Sequence, residues 1–306
     1  MLFFKKDKKQ NDKSGLAVTV PELIEQQRYL PYLSRNHDFL TSDRAGNVKS
    51  AFKGRGIELE EVRSYNFGDD IRDIDWRITA RKSEPFTKVY SEEKDRVITV
   101  VLDLSATMVF GTKKELKSVT ASKIAALLGW LSLRNKDRFG ILIYDGKNSD
   151  YFKPQGSIKN LMSVFNKIAE TGKKILSDSS SGKLSEALNS LKYYQKGQGT
   201  VFILSDFYHF DDEQFKSIAL LAKNNRVYCV KIFDVLEEIA PPAGDYKAAY
   251  NGQEVEFYSG SVKFRQEYQN YFAQNRENIR KNCQKFLCKY IEIRTDMPIF
   301  KQLRLM

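Results

Sequence analysis

Cysteine and histidine are scarce in this sequence, and their scarcity excludes several kinds of site. The 306 residues include three cysteines and two histidines. Three cysteines are too few for a disulfide framework, and we expect Cys229, Cys283 and Cys288 to be buried thiols of a reducing compartment. Cys283 and Cys288 stand in a predicted helix at a spacing that does not place them on one face. Two histidines, His37 and His209, cannot form a histidine-rich zinc site.

Long apolar runs are absent as well. No stretch reaches the roughly 20 apolar residues that a membrane-spanning helix needs. The basic N-terminal stretch Met1–Lys9 is followed by no apolar segment of signal-peptide length. These absences predict a cytoplasmic protein without a transmembrane segment.

Basic residues outnumber acidic ones, but they are not concentrated at one place. The formal net charge is +11, and the one dense cluster of lysines lies between Lys5 and Lys13. The sequence has no arginine-rich recognition helix, no aromatic nucleic-acid-binding signature and no zinc finger. Nucleic acid is therefore not an expected partner, and binding to DNA or an anionic membrane surface is an alternative hypothesis only.

Composition and periodicity divide the chain into three parts. Residues 1–18 are polar and basic, and we expect a disordered tail. Residues 19–95 predict a short helix from Pro21 to about Leu30, followed by a smaller β-rich elaboration. In residues 96–306 apolar strands alternate with amphipathic helices, which predicts an α/β fold with a doubly wound, mostly parallel sheet.

The most informative strand in this last part is Val97–Leu102, an almost wholly apolar run that stops at Asp103. Such a run is typical of a strand buried on both faces of a parallel sheet. The hydroxyl residues Ser105 and Thr107 follow at alternate positions, at the edge of the sheet where α/β proteins bind ligands. One carboxylate and two hydroxyls suit Mg²⁺, although a turn that caps the next helix would explain the same residues.

A second carboxylate follows another predicted strand. Asp206 comes directly after the apolar run Val201–Leu204, so a parallel sheet would bring it to the same edge as Asp103. We therefore predict that Asp206 contributes to the Mg²⁺ site directly or through water, with a helix N-cap as the alternative role.

These residues resemble the metal-ion-dependent adhesion site of von Willebrand factor A domains. That site begins with Asp-x-Ser-x-Ser, and here Thr107 replaces the last serine while keeping a hydroxyl. The family also supplies a threonine from a later loop. The place of that threonine falls near Gly182, and the nearest hydroxyl is Ser181. The resemblance thus implies a von Willebrand A-like fold and a ligand set of Asp103, Ser105, Thr107, Asp206 and Ser181.

A second resemblance is more specific. The block from Gly54 to Arg81, with Gly68-Asp69-Asp70 at its centre, is similar to the hallmark of the family called domain of unknown function 58. The later segment Phe233–Glu238 also fits the pattern of that family. Members are associated with MoxR-type AAA+ ATPases. The resemblance therefore implies a chaperone-like adaptor that acts with such an ATPase in maturing or remodelling other proteins.

Acidic and basic residues alternate in this block around Trp76. We interpret them as a desolvated ion-pair network that has a structural or interface role. The residues assigned to that role are Arg63, Tyr65, Gly68, Asp69, Asp70, Arg72, Asp75, Trp76 and Arg81. A nuclease-like metal cluster is the alternative, but interleaved arginines would neutralise its carboxylates.

Three functions are compatible with these features. The leading hypothesis is a non-enzymatic protein-binding adaptor with an Mg²⁺ site, whose partners are a MoxR-type ATPase and a client protein. The second is a metal-dependent hydrolase that uses Asp103 and Asp206, with His209 as the base. The third is a basic protein that binds a membrane or nucleic-acid surface.

Overall fold

The computed structural model describes residues 15–33, 57–92, 96–194, 198–208, 210–250 and 253–304. The chain divides into two compact units, residues 1–37 with 96–306 and residues 38–95. The division after residue 95 lies where the composition changes. The N-terminal helix, predicted as part of the elaboration, belongs instead to the larger unit.

The strands of the described residues are β1 (Ile57–Ser64), β2 (Phe86–Glu92), β3 (Val97–Asp103), β4 (Arg138–Tyr144), β5 (Ser149–Gln155), β6 (Gly199–Ser205), β7 (Asn225–Phe233), β8 (Asp245–Tyr250), β9 (Gln253–Tyr258) and β10 (Lys289–Arg294). The helices are α1 (Val20–Glu25), α2 (Leu30–Leu33), α3 (Trp76–Lys82), α4 (Lys117–Arg134), α5 (Ile158–Lys174), α6 (Leu184–Tyr194), α7 (Asp212–Ala222), α8 (Val235–Glu238), α9 (Val262–Lys285) and α10 (Ile299–Arg304). Within this part of the chain, no helix is long and apolar enough to cross a membrane.

The larger unit contains a six-stranded sheet in the order β10-β7-β6-β3-β4-β5. Every neighbouring pair is parallel except β4 and β5, which are antiparallel. The prediction of a doubly wound, mostly parallel sheet is therefore confirmed. The sequence pattern misses β5, because this edge strand is largely polar and contains Pro154, which edge strands tolerate.

Helices cover the sheet on both faces. Val101 of β3 packs in one apolar cluster with residues of α6, α7 and α9. Its neighbours Val100 and Leu102 are equally buried, and alternation along a strand directs them to the opposite face. Helix α4, most of whose residues are buried, packs against β3, β4, β6 and β7. This two-sided burial explains the continuous apolar runs of the central strands.

The N-terminal segment is anchored to α4. Helix α1 begins at a capping box formed by Thr19 and Glu22, and the buried Trp130 donates from Nε1 to the Leu23 carbonyl at 3.1 Å. Val18 is 1% exposed. Of the tail predicted to be disordered, residues 1–14 lie outside the described residues. For residues 15–18 the prediction of disorder is wrong, because this segment packs within the larger unit.

The smaller unit is built on an antiparallel pair of strands, β1 and β2. The β-rich prediction is therefore correct for its described part. Between the strands lie a short 3₁₀ turn, Ile71–Asp73, and helix α3. The sequence pattern misses α3, because a seven-residue helix with exposed apolar residues has no buried stripe to detect.

Candidate functional site

The candidate site lies where the strand order of the sheet reverses. From β3 the chain continues to β4 on one side, whereas from β6 it continues to β7 on the other. The two strands are paired in parallel, with Leu102 opposite Leu204. Their carboxyl ends therefore meet at a topological switch point, which is the usual ligand-binding place of such sheets. Asp103 ends β3, and Asp206 follows the last residue of β6.

Asp103 is buried and is held by neutral donors. Its Oδ1 accepts from the backbone N–H of Ser105 at 2.9 Å, and its Oδ2 accepts from the Ser205 hydroxyl at 2.6 Å. Ser205 is a partner of Asp103 that the sequence pattern does not identify, although it stands at the end of a predicted strand. These two bonds fix the orientation of the carboxylate, and each oxygen keeps a lone pair for a further ligand.

The predicted hydroxyls converge beside this carboxylate. Ser105 Oγ and Thr107 Oγ1 are 3.5 Å apart. A second loop approaches the same place, because Ala106 donates from its backbone N–H to the Ser180 carbonyl at 2.9 Å. Ser181, the next residue of that loop, is exposed. The structure thus brings Asp103, Ser105 and Thr107 together and places the loop of Ser181 next to them.

Close approach of backbones holds the loop of Ser181 in position. Gly146, with a φ of 91°, lies so near that a Cβ atom would stand 1.9 Å from the Ser180 carbonyl oxygen. Only glycine allows both the positive φ and this contact.

Asp206 has a partner that the sequence analysis missed. Lys117, the first residue of α4, donates from Nζ to Asp206 Oδ2 at 2.7 Å and to Glu237 Oε1 at 2.6 Å. The other oxygen of Asp206 accepts from the Tyr208 backbone N–H at 3.1 Å. Burial alone would raise the pKa of Asp206, but the charge and hydrogen bond of Lys117, the charge of Lys231 and the Tyr208 N–H together outweigh burial and lower it. Burial likewise opposes protonation of Lys117, yet its two carboxylates raise its pKa.

A second buried lysine completes this charged cluster. Lys231 of β7 donates from Nζ to the Asp206 carbonyl at 2.8 Å and to Asn275 at 3.0 Å. Burial lowers its pKa to about 8, against the opposing charge of Asp206. The sequence contains a signal for this residue, because Lys231 interrupts the otherwise apolar run Val227–Phe233. A lysine buried in a strand almost always has a paired charge or a hydrogen-bond partner.

Asp103 differs from Asp206 in having no cationic partner among the described residues. Among the described residues, no lysine or arginine lies within ion-pair distance of Asp103, although Asp206 and Glu237 share Lys117. Burial, followed by the negative charge of Asp206, raises the pKa of Asp103 to about 6. The site therefore holds a carboxylate whose ionised form is unfavourable until a cation is supplied.

The donor set suits a hard cation. Mg²⁺ takes oxygen ligands at about 2.0–2.1 Å and retains several waters. The Ser105 and Thr107 hydroxyls, 3.5 Å apart, need to approach each other only slightly to bind one such ion side by side. Within the described part of the chain, no cluster of three or more His, Cys, Asp or Glu residues is arranged to hold a metal. Asp103, Ser105 and Thr107 supply oxygen atoms of the kind that this ion prefers.

The acidic and basic block of the smaller unit is arranged differently from the predicted network. Among the described residues, Arg63 pairs with Asp69 at 2.9 Å, and Asp75 pairs with Lys88 of β2 at 3.4 Å. Asp70 caps the 3₁₀ turn, and Asp75 caps α3 by accepting from the Arg77 and Ile78 backbone N–H groups. Most of these carboxylates therefore bind backbone donors rather than guanidinium groups, because short helical segments leave their first N–H groups unpaired.

The block is also less desolvated than predicted. Trp76 is 66% exposed and Phe67 is fully exposed, and Arg72 and Arg81 are exposed as well. Tyr65 is half-buried and pairs through its backbone with Pro85. Gly68 has a φ of 107° and provides the left-handed turn before Asp69.

Comparison with known proteins identifies relatives of the chain. Uncharacterized protein Mb1516 of Mycobacterium bovis and Uncharacterized protein Rv1480 of Mycobacterium tuberculosis are each 26% identical over 200 residues. The aligned region covers 65% of this chain and 62% of each relative. The chain therefore spans less than two thirds of the length of these relatives.

Solved structures with partial similarity include BatB from Bacteroides thetaiotaomicron, 15% identical with a TM-score of 0.44, which covers 69% of this chain and 96% of that one. An aerotolerance-related membrane protein from Bacteroides fragilis is 11% identical with a TM-score of 0.40, over 69% of this chain and 100% of that one. The SpRpn10 VWA domain is 8% identical with a TM-score of 0.36, over 69% of this chain and 94% of that one.

The family model described as protein of unknown function DUF58 matches residues 61–278. This range includes the Gly68–Arg81 block, the candidate site and the segment Phe233–Glu238. Because the match spans well over half of the chain and agrees with the resemblance of its sequence blocks, the protein belongs to the DUF58 family.

Proposed function

We propose that this protein is a non-enzymatic adaptor that binds an acidic side chain of a partner protein through Mg²⁺ at the Asp103 site. The observation that carries the proposal is the buried Asp103 carboxylate, which has no cationic partner among the described residues and lies beside two converging hydroxyls. A divalent cation would stabilise its ionised form and would leave coordination positions for a partner.

Each predicted ligand has a distinct part in this proposal. Asp103, Ser105 and Thr107 would hold the ion directly. Asp206 would act through a metal-bound water, because the charge of Lys117 already compensates its carboxylate. Ser181 would contribute from the neighbouring loop. When bound, Mg²⁺ supplies a positive centre that attracts a carboxylate.

The charge of the site favours an acidic partner. Asp103, Asp206 and Glu237 carry three negative charges when ionised, and Lys117 and Lys231 carry two positive charges, so their sum is minus one. One Mg²⁺ would reverse this sum to plus one. A partner carboxylate that completed the coordination shell would make the site neutral. This charge balance favours a reversible contact with a partner protein over coordination of the ion by this chain alone.

The arrangement supports binding better than hydrolysis. Asp206 has a lowered pKa beside Lys117, which makes it a weak base, and Asp103 would be occupied by the ion. Lys117 is held between two carboxylates. His209, the predicted base of the hydrolase hypothesis, lies outside the described residues.

The family resemblance suggests the partner. A MoxR-type AAA+ ATPase would contact the Mg²⁺ site and couple its nucleotide cycle to a client protein, in a chaperone-like maturation or remodelling step. We propose the cytoplasm as the compartment, as predicted from the sequence.

Metal binding is tested by calorimetry and thermal unfolding with and without Mg²⁺. We expect Mg²⁺ to raise the melting temperature of the wild type and to have no effect on Asp103→Ala. Asp145→Ala is the matched control, because Asp145 also follows a strand at this edge of the sheet but is already paired with Lys174 at 2.8 Å. It should keep the Mg²⁺ response. A wild type that binds no Mg²⁺ would contradict the proposed site.

The partner is tested by co-purification from the native host in Mg²⁺ or in EDTA. We expect an AAA+ ATPase to be recovered with the wild type in Mg²⁺ and to be lost with Asp103→Ala, which should remain folded by circular dichroism. Recovery of no AAA+ protein under either condition would refute the adaptor role, even if the metal binds.

A further inference from the structure

The three cysteines of the chain meet in one cluster, and none of them belongs to the candidate cation site. Cys229 lies in the middle of β7, Cys283 in the last turn of α9, and Cys288 directly before β10. All three are buried free thiols within one apolar cluster. The thiol of Cys229 interacts with the thiols of both Cys283 and Cys288.

The end of helix α9 explains why they meet. The helix ends at Phe286, and Leu287 then adopts a left-handed conformation with a φ of 56°. The backbone N–H of Cys288 donates back to the Cys283 carbonyl at 2.8 Å. This is the six-to-one bond of a Schellman motif, which brings the residue after the turn back against the last helical turn. The two cysteines do not share a helix face, as predicted, because Cys288 lies beyond the end of the helix; they meet because the chain turns back at Leu287.

The pairing of β10 with β7 brings the third thiol to the same place. Tyr290 is the register partner of Cys229 in this parallel pair. Cys288 precedes Tyr290 by two residues, so its side chain is on the same face of the sheet. The cluster thus depends on a helix end and a strand pairing together.

The three thiols are not equivalent. Cys229 is fully buried, whereas Cys288 is 8% exposed and lines a surface cavity of about 420 Å³ together with Arg280 and Glu292. The hydrogen bond from the Cys229 thiol lowers the pKa of Cys288, whereas its contacts with Cys283 and Cys288, together with burial, raise the pKa of Cys229. A small oxidant can therefore reach Cys288 first, and the lowered pKa favours the thiolate of Cys288 over that of Cys229.

We propose that Cys288 is a peroxide-reactive thiol and that Cys229 is its resolving thiol, so that hydrogen peroxide converts the pair into a reversible disulfide. In the first step, the Cys288 thiolate attacks one peroxide oxygen. An S–O bond forms, the O–O bond breaks, and the released hydroxide takes up a proton as water, which leaves a sulfenic acid.

In the second step, the sulfur of Cys229 attacks the sulfur of the Cys288 sulfenic acid. An S–S bond forms and the S–O bond breaks, and the hydroxyl leaves as water with the thiol proton of Cys229. The two steps consume one peroxide and two thiols and release two waters. A dithiol reductant reverses the disulfide by exchange.

The test treats the reduced full-length protein with hydrogen peroxide, traps sulfenic acid with dimedone, and maps the products by tandem mass spectrometry. In the wild type we expect a Cys229–Cys288 disulfide, about 2 Da lighter than the reduced protein because two hydrogen atoms are lost. Dithiothreitol should remove it. In urea, where the fold is lost, the selectivity among the three thiols should disappear.

Three serine variants separate the roles. Cys288→Ser should form neither the disulfide nor a dimedone adduct. Cys229→Ser should accumulate the adduct at Cys288 at least about tenfold above the wild type, because the sulfenic acid has no resolving thiol. Cys283→Ser is the matched control and should behave like the wild type.

Three results would overturn the proposal. One is a wild type whose first oxidised thiol is Cys229 or Cys283, which peptide mapping shows without any variant. Another is a disulfide that includes Cys283 in place of Cys229. A wild type that stays reduced while the same peroxide oxidises the urea-unfolded chain would equally refute it, since the fold would then protect the thiols.

Discussion

Replacing Asp103 with asparagine is expected to stabilise the metal-free protein at neutral pH. Burial and the nearby Asp206 raise the pKa of Asp103 from 3.8 to about 6. At about 1.4 kcal/mol per pKa unit, ionised Asp103 costs the folded state about 3 kcal/mol. Asparagine removes this charge and preserves the size of the side chain. Asparagine also replaces one acceptor oxygen with an N–H donor. Losing the acceptor that the Ser205 hydroxyl uses in the wild type costs about 1 kcal/mol.

The net gain is therefore about 2 kcal/mol, or roughly 4–8 °C in the melting temperature of a unit of this size. The sign depends on pH, because a raised pKa means that the folded state binds the proton more tightly. Below pH 3.8 the carboxyl is protonated in both states and costs nothing, and above pH 6 the full cost applies. Near pH 4.5 the cost is about 1 kcal/mol, so the advantage of Asp103→Asn should vanish there.

Urea unfolding in EDTA from pH 4.5 to pH 8 measures this difference, and the fluorescence of the buried Trp130 reports on the larger unit. Asp206→Asn is the matched control. Its carboxylate is stabilised by Lys117, so this variant should lose stability, by about 3 kcal/mol. If Asp103→Asn is also destabilising at pH 8, or if its effect does not change with pH, the ionised carboxylate of Asp103 does not destabilise the folded protein.

Two further predictions concern the surroundings of the site and the smaller unit. Lys117→Met should cost about 3–5 kcal/mol, because it removes the cation that bonds the carboxylates of both Asp206 and Glu237. The double variant with Asp206→Asn should recover part of this loss, and strict additivity in urea unfolding would refute the pairing. Trp76→Ala should change stability by less than about 1 kcal/mol because the indole is 66% exposed, whereas the buried Trp130→Ala should cost about 3–5 kcal/mol. Equal losses for the two tryptophan variants would show that Trp76 is covered.

The sequence alone determined the buried strands of the sheet and the position of the candidate site. Apolar runs without alternation identify strands buried on both faces, and Asp103 and Asp206 each come at the end of such a run. Parallel strands carry their carboxyl ends at one edge, so the local pattern was enough to predict that these two residues would approach each other. The same local reading identified the Gly68–Arg81 block as a family hallmark, because its signal lies in consecutive residues.

The tertiary structure decided which charges and thiols are partners. Lys117 and Asp206 are 89 positions apart, and the pairing leaves Asp103 as the carboxylate without a cation among the described residues. Cys288 reaches Cys229 only because the chain reverses at Leu287 and β10 then pairs with β7. Periodicity records which face of an element is apolar, but the partner across that face depends on how distant elements pack. For that reason the site was predictable as a place, whereas its electrostatics became evident only from the fold.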